Sequence, residues 1–448
     1  MLNRRRFLQT SALVALSPLV PRFVANTALA AEAGKDKVLV VLEMGGGNDG
    51  LNTVIPHGDD LYHKARPTLR YRTEEVVKID EHLGLNPGLR ELEQLLGNKQ
   101  LAIVQGVGYP NPNRSHFESM DIWQSADPRG KIANGWLGRS MGSVKVNEGE
   151  IPGMHLGADQ LPLALQGSAT GTPTLHPNKP YELILDGKTY NLQDLRNRGI
   201  SKVEVVDGEP KEGEKPDPKQ AQAEEKHRAA RMQLIRDLAK LETGPKNDLL
   251  QFVQRSSLQT YTALDRLRKL MLEGPPGNVR FIRRGEGNGD LAAKLNLAAR
   301  IIQAGFGTRI FYVAIDGFDT HSAQRDTHQQ LLQQIGGGVS NFFNQLKQSG
   351  DADRVVLMTF SEFGRRVREN GSKGTDHGAG ACLFVAGPKV NGGLVGKHPS
   401  LADLDAGDLQ HHTDFRRVYA TLLDGWLECD AQAVLGQKFE HLPLLKDR

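Results

Sequence analysis

Two kinds of apolar pattern alternate along both ends of this chain. "KVLVVLEM" (37–44) is a continuous apolar run of strand length, the form expected of a strand covered on both faces. "GGGNDGLNT" (45–53) breaks it. "NPGLRELEQLLGN" (86–98) has helical spacing, and "QLAIVQGVG" (100–108) is a second strand-length run. Further on, "LAAKLNLAARIIQAGFG" (291–307) predicts a helix stopped by Gly305, and "RIFYVAI" (309–315) a strand. The spacing of 322–348 predicts a long helix, and "RVVLMTF" (354–360) another strand. The β-α-β-α-β alternation implies an α/β fold, with a mostly parallel sheet and helices on both faces. In such sheets the active site lies at the carboxyl ends of the strands.

The middle of the chain differs. Residues 207–226 are rich in Pro, Gly and charge, which predicts a loop, and 229–242 and 247–272 have amphipathic helical spacing. We expect a helical insertion or cap over 190–275. No internal repeat is present. With 38% apolar residues in 448, the chain can bury one large core or two ordinary ones. A net charge of +3 and no basic stripe with interleaved aromatics argue against nucleic acid as a partner. The two cysteines, Cys382 and Cys429, lie in apolar surroundings and read as buried thiols rather than a bridge.

At the amino end, "NRRRFLQ" fits a twin-arginine pattern. A short apolar stretch broken by Pro18 and Pro21 follows, then "ALA" (28–30), which has the small residues a signal peptidase needs. Residues 1–30 are therefore expected to be a removable export signal rather than a membrane anchor. The implied export partner is the twin-arginine translocase, the destination is the periplasm or the exterior, and residues 31–448 are the folded domain. No later segment has the length and apolarity of a stable transmembrane span.

Chemistry-bearing residues recur at the ends of the apolar runs. Asp49 in "GGGNDG" is a candidate metal ligand, or with Asn48 shapes the turn. The absence of a Walker lysine and of G-x-G-x-x-G argues against a nucleotide loop. In "NRSHFESMDIW" (113–123), Ser115 reads either as a nucleophile or as a helix N-cap with Glu118 completing a capping box. "GFDTH" offers Asp319 and His321, and "TDHG" offers Asp376 and His377, oxygen and nitrogen ligands suited to zinc or manganese. "SEFGRR" adds Glu362, with Arg365 and Arg366 as anion clamps or as a solvated helix face. His411 and His412 open a helical stretch in which Thr413 and Asp414 look like ordinary caps.

Taken in order, "GGNDGLN", "NRSHF", "GFDTHSAQ", "SEFGRRVRENGSKGTDHGAG" and "DFRRVYATLLDGWL" resemble the domain of unknown function 1501 family over nearly the whole mature chain. That family is placed in the alkaline phosphatase-like superfamily, with the sulfatases and phosphodiesterases. The resemblance implies a three-layer α/β/α sandwich with a bimetal site at the strand ends. Residue by residue, it implies Asp49 as the first ligand, Ser115 as the nucleophile, and Asp319 and His321 as the middle pair. Glu362 and Phe363 stand where a late Asp-His pair is expected, Asp376 can replace the ligand missing at Phe363, and His377 is the final histidine. The implied activity is metal-dependent hydrolysis of phosphate or sulfate esters, on a small-molecule or polysaccharide substrate. Ser115 or a metal-bound water would attack, and Arg365 or Arg366 would steady the non-bridging oxygens. Zinc is the expected cofactor, with manganese or calcium as alternatives. No C/S-x-P-x-R context surrounds Ser115, so no formylglycine is expected. Two other classes stay open: a non-catalytic binding module, and a metal-free serine esterase, which the missing G-x-S-x-G elbow disfavours.

Overall fold

The computed structural model describes residues 36–446, except 192–289 and the short gaps 148–149, 158–159, 169–170, 177–178 and 186–187. The expected signal at 1–30 lies outside the described residues. So does the expected insertion at 190–275, apart from its first two positions, which end a strand.

Eleven strands form the main sheet. In chain order they are β1 (Val38–Gly45), β2 (Leu101–Gly108), β3 (Gly153–Leu156), β4 (Thr174–His176), β5 (Lys179–Leu185), β6 (Lys188–Asn191), β7 (Ile310–Asp316), β8 (Val355–Phe360), β9 (Ala381–Ala386), β10 (Gly393–Val395) and β11 (Thr413–Asp414). Their spatial order is β10-β2-β9-β8-β1-β7-β3-β4-β5-β6, with β11 also on β2. The central strands β8, β1, β7 and β3 are mutually parallel. β9 runs antiparallel between β8 and β2, which places its amino end at the same edge as the carboxyl ends of β2, β8, β1 and β7.

The sheet is covered on both faces, and the period of two along β1 shows it. Val38, Val40 and Leu42 pack in one cluster with helices α2 (Asp290–Gln303) and α3 (Gln324–Ser349), through residues such as Leu295 and Phe342. Leu39 and Val41 face the other cluster, with α1 (His116–Ser125) and α4 (Phe415–Leu422), through Trp123 and Tyr419. The fold is therefore an α/β/α sandwich with a large, mostly parallel central sheet. The strands and helices expected in the two ends of the chain form within a few residues of their expected bounds. The stretch 86–98 is the exception: it starts as a 3-10 turn, Pro87–Leu92, before a short helix, Glu93–Gly97. Gly88 lies there against the α3 backbone, where a side chain would collide with the Gln329 carbonyl. Both cysteines are free thiols. Among the described residues, no helix is long and apolar enough to cross a membrane.

Candidate metal centre

Three connections bring ligand-type side chains to one sheet edge. Beyond the carboxyl end of β2, the chain turns into α1, whose first residue is His116. Beyond β7 come Asp319 and His321, and just before the amino end of β9 comes His377. Ligand atoms of His116, Asp319 and His377 all lie within 4.8 Å of one another, the one such group of three among the described residues. His321 joins them, its Nε2 being 2.9 Å from His377 Nε2 and 3.1 Å from Asp319 Oδ1. His377 Nε2 and His116 Nε2 lie 3.2 and 3.4 Å from the same oxygen.

The partners on the far side of each ring determine which nitrogen carries the proton. His377 Nδ1 donates to the Arg114 carbonyl at 2.8 Å, since a carbonyl can only accept. His116 Nδ1 lies 2.8 Å from Glu362 Oε1, and His321 Nδ1 lies 3.3 Å from Asp376 Oδ1. Both carboxylates are acceptors, so the tautomer that serves these partners carries the hydrogen on Nδ1 of all three rings, although Nε2 of His321 and of His377 also faces an acceptor, Asp319 Oδ1, at 3.1 and 3.2 Å. All three Nε2 atoms then present lone pairs, to one another and to a carboxylate oxygen. His116 Nε2 is buried and has no hydrogen-bond partner. The positive charge nearest the centre is the Arg365 guanidinium, whose Nη2 donates to the same Asp319 oxygen at 2.6 Å.

Carboxylate chemistry is divided between two roles. Asp319 is 48% exposed and faces the cluster. Burial would raise its pKa, but the Arg365 guanidinium, donating at 2.6 Å, outweighs this and holds it at about 2. Glu362 and Asp376, expected as ligands, stand one layer back, each behind a histidine. Glu362 is further fixed by the Gly46 N–H at 2.9 Å and by the Ser361 hydroxyl at 3.1 Å. Asp376 is fixed by the Asn370 amide at 3.1 Å, the main cause of its lowered pKa. Carboxylates in this position orient a metal-binding imidazole and raise its basicity.

Four other expected positions are placed differently. Asp49 caps a short helical turn and is buried against Arg66, outside the cluster. Arg365, expected to face an anion, is buried. Its guanidinium donates to the carbonyls of Gly46, Gly47, Phe318 and Thr375 as well as to Asp319, so it pins the loops together and leaves no free face for a substrate oxygen. Ser115 is the N-cap residue of α1, but its hydroxyl makes no capping bond, and Glu118 accepts from the Asn113 side chain instead of closing a capping box. Ser115 thus lies between Arg114, which holds His377, and His116. Arg366 spans to Asp408 and the Ala406 carbonyl.

The Gly-rich turn after β1 has a steric reason. Gly46 and Gly47 have φ of +114° and +79°, and a Cβ on either would strike the Asp319 backbone or the Phe363 ring. Phe363, standing where a histidine was expected, is buried with its ring centroid 4.9 Å from that of His116 and 4.8 Å from that of His377. It forms an apolar wall to the centre. His116 is the residue that sequence reasoning passed over; its one signal is its place beside Ser115 in "NRSHF", beyond a strand end.

Fold and site together define an α/β protein with a histidine–carboxylate centre at its strand ends. The chain belongs to the family described as "Protein of unknown function (DUF1501)", whose model matches residues 36–434. No curated protein matches the sequence. Among solved structures, similarity extends to Ps i-CgsB, at 11% identity and a TM-score of 0.34, over 91% of this chain and 73% of that one. It extends also to the Bacteroides thetaiotaomicron structure labelled BT33336S-sulf, from work on glycosaminoglycan metabolism, at 10% identity and 0.37, over 91% and 83%. The lipoteichoic acid synthase LtaP from Listeria monocytogenes matches at 8% identity and 0.30, over 79% of this chain and 65% of that one.

Proposed function

We propose that this protein is an exported, metal-dependent hydrolase of phosphate or sulfate esters, with His116, Asp319, His321 and His377 as the metal ligands. The convergence of three imidazole lone pairs on one carboxylate oxygen carries the reading. Protonation would relieve one pair at a time, whereas a single divalent cation would draw on all of them, centred on the mutually close His116, Asp319 and His377; it would share the Asp319 carboxylate with Arg365, which donates to the same oxygen. A tetrahedral zinc with bonds of about 2.0–2.1 Å separates its ligand atoms by roughly 3.3 Å, and four of the contacts here span 2.9–3.4 Å. Three nitrogen donors suit zinc, or manganese less well, and do not suit calcium, which takes oxygen.

A cation held there would have to release one of the four groups, or expand to five-coordinate, to take up a water, hydroxyl or ester oxygen; it would then lower the pKa of that water or hydroxyl and neutralise an ester anion. The chain's own residues do the rest. Glu362, Asp376 and the Arg114 carbonyl hold the three rings in one tautomer. Phe363 excludes water from one side. Ser115, its hydroxyl unspent as a cap, is the candidate nucleophile. Export rests on the amino-terminal pattern. Lysine at both Arg4 and Arg5 should leave precursor in the cytoplasm, and unchanged export would remove that part of the proposal.

The purified mature protein should carry zinc by mass spectrometry of the metal and hydrolyse p-nitrophenyl phosphate or p-nitrophenyl sulfate. His377→Ala should lose both with a native far-UV spectrum. Wild type without metal at saturating zinc would refute the reading of the site. Metal without turnover of either ester would favour the binding module.

A further inference from the structure

The same sheet edge carries a second acidic position, in a different kind of environment. The Asp49 side chain is 1% exposed and Arg66, its ion-pair partner, 0%. Both Asp49 oxygens are occupied: Oδ1 accepts from the Asn52 N–H at 3.3 Å, and Oδ2 from Arg66 Nη1 and Gln324 Nε2. The guanidinium is fixed in turn, Nε donating to the Val367 carbonyl and Nη2 to the Arg366 carbonyl, each at 2.9 Å. Gln324 is held by Thr375, whose hydroxyl donates to its Oε1 at 2.6 Å. A cation entering at Asp49 would have to displace a buried positive charge and leave it unpaired, a strongly unfavourable change. Among the described residues, Asp49 also belongs to no group of three ligand-type side chains.

We infer that the centre holds one cation, not two, and that Arg66 closes the Asp49 position to metal by occupying it as a fixed positive charge. The inference rests on the reading of His116, Asp319, His321 and His377 as ligands. It departs from the two-ion centre that the family resemblance implies, because the first carboxylate of that pattern is here an ion-pair partner.

Metal counting on the zinc-saturated full chain after gel filtration tests it, together with X-ray absorption at the zinc edge. The expected result is one zinc per chain, an imidazole-rich shell, and no zinc–zinc vector in the roughly 3.5–4 Å range of two-metal sites. Asp49→Asn should keep one zinc at an affinity within about twofold of wild type. If that variant fails to fold, the wild-type count and spectrum decide alone. Two zinc ions with a zinc–zinc vector would overturn this inference and leave the ligand reading standing, as would loss of zinc from a folded Asp49→Asn. No zinc on wild type would overturn both.

Discussion

Glu362→Gln separates a ligand from a residue that backs one. Glu362 is 2% exposed, and its Oε1 accepts from His116 Nδ1 at 2.8 Å and from the Gly46 N–H at 2.9 Å. Glutamine has the same shape and keeps an oxygen for both donors, so the ring should stay in place. What is lost is the negative charge that makes His116 Nε2 a stronger base. Changes to such outer partners weaken metal affinity by about 10–100-fold, or about 1.4–2.7 kcal/mol. Competition for zinc against a chromophoric chelator should therefore give a Kd raised by that factor, with circular dichroism unchanged. A Kd within twofold of wild type would mean that His116 is not a ligand. Complete loss of zinc from a folded variant would mean that Glu362 itself coordinates, as the family pattern implies, and that the geometry has been misread.

Two further outcomes follow from the same edge. Burial pushes the Glu43 carboxyl up, the Tyr312 hydroxyl pulls against it, and the charges of Glu362 and Asp316 add to the rise, from an ordinary 4.5 to about 7. Between those values the folded state keeps a proton that the unfolded state has lost, so stability falls as pH rises through that window, by roughly 3 kcal/mol in all. Glu43→Gln should be more stable than wild type at pH 8 by up to that amount and nearly equal at pH 4; equal gains at both pH values in urea unfolding would refute the assignment. Gly46→Ala forces a side chain at φ +114° toward the Asp319 backbone. It should cost about 1–3 kcal/mol and weaken zinc binding, and unchanged zinc affinity would show that the turn does not position Asp319.

The central sheet was legible because its middle strands are buried on both faces and so read as unbroken apolar runs, with the helices between them set apart by their 3.6-residue period. Asp319, His321 and His377 were legible as a group for a related reason: polar residues at the ends of such runs must emerge at one sheet edge. The allocation of roles was not. Glu362 reaches His116 across 246 residues, and Asp376 reaches His321 across 55. Sequence reasoning sees the carboxylates and the imidazoles but not which stands in front. Arg66 lies 17 residues beyond Asp49, in a stretch with no period that would bring the two together, so an acid locked in an ion pair looked like one free to ligate. Arg365 shows the same limit from the other side. An arginine next to a loop of glycines reads as an anion clamp, yet glycine carbonyls at positive φ are themselves acceptors, and here they take up its donors. Whether a charged residue at a strand end serves chemistry or structure therefore depends on how many fixed backbone groups its side chain must satisfy. By that measure the buried arginines belong to the scaffold, and the histidines, each spending Nδ1 on the scaffold and turning Nε2 toward the cluster, belong to the candidate site.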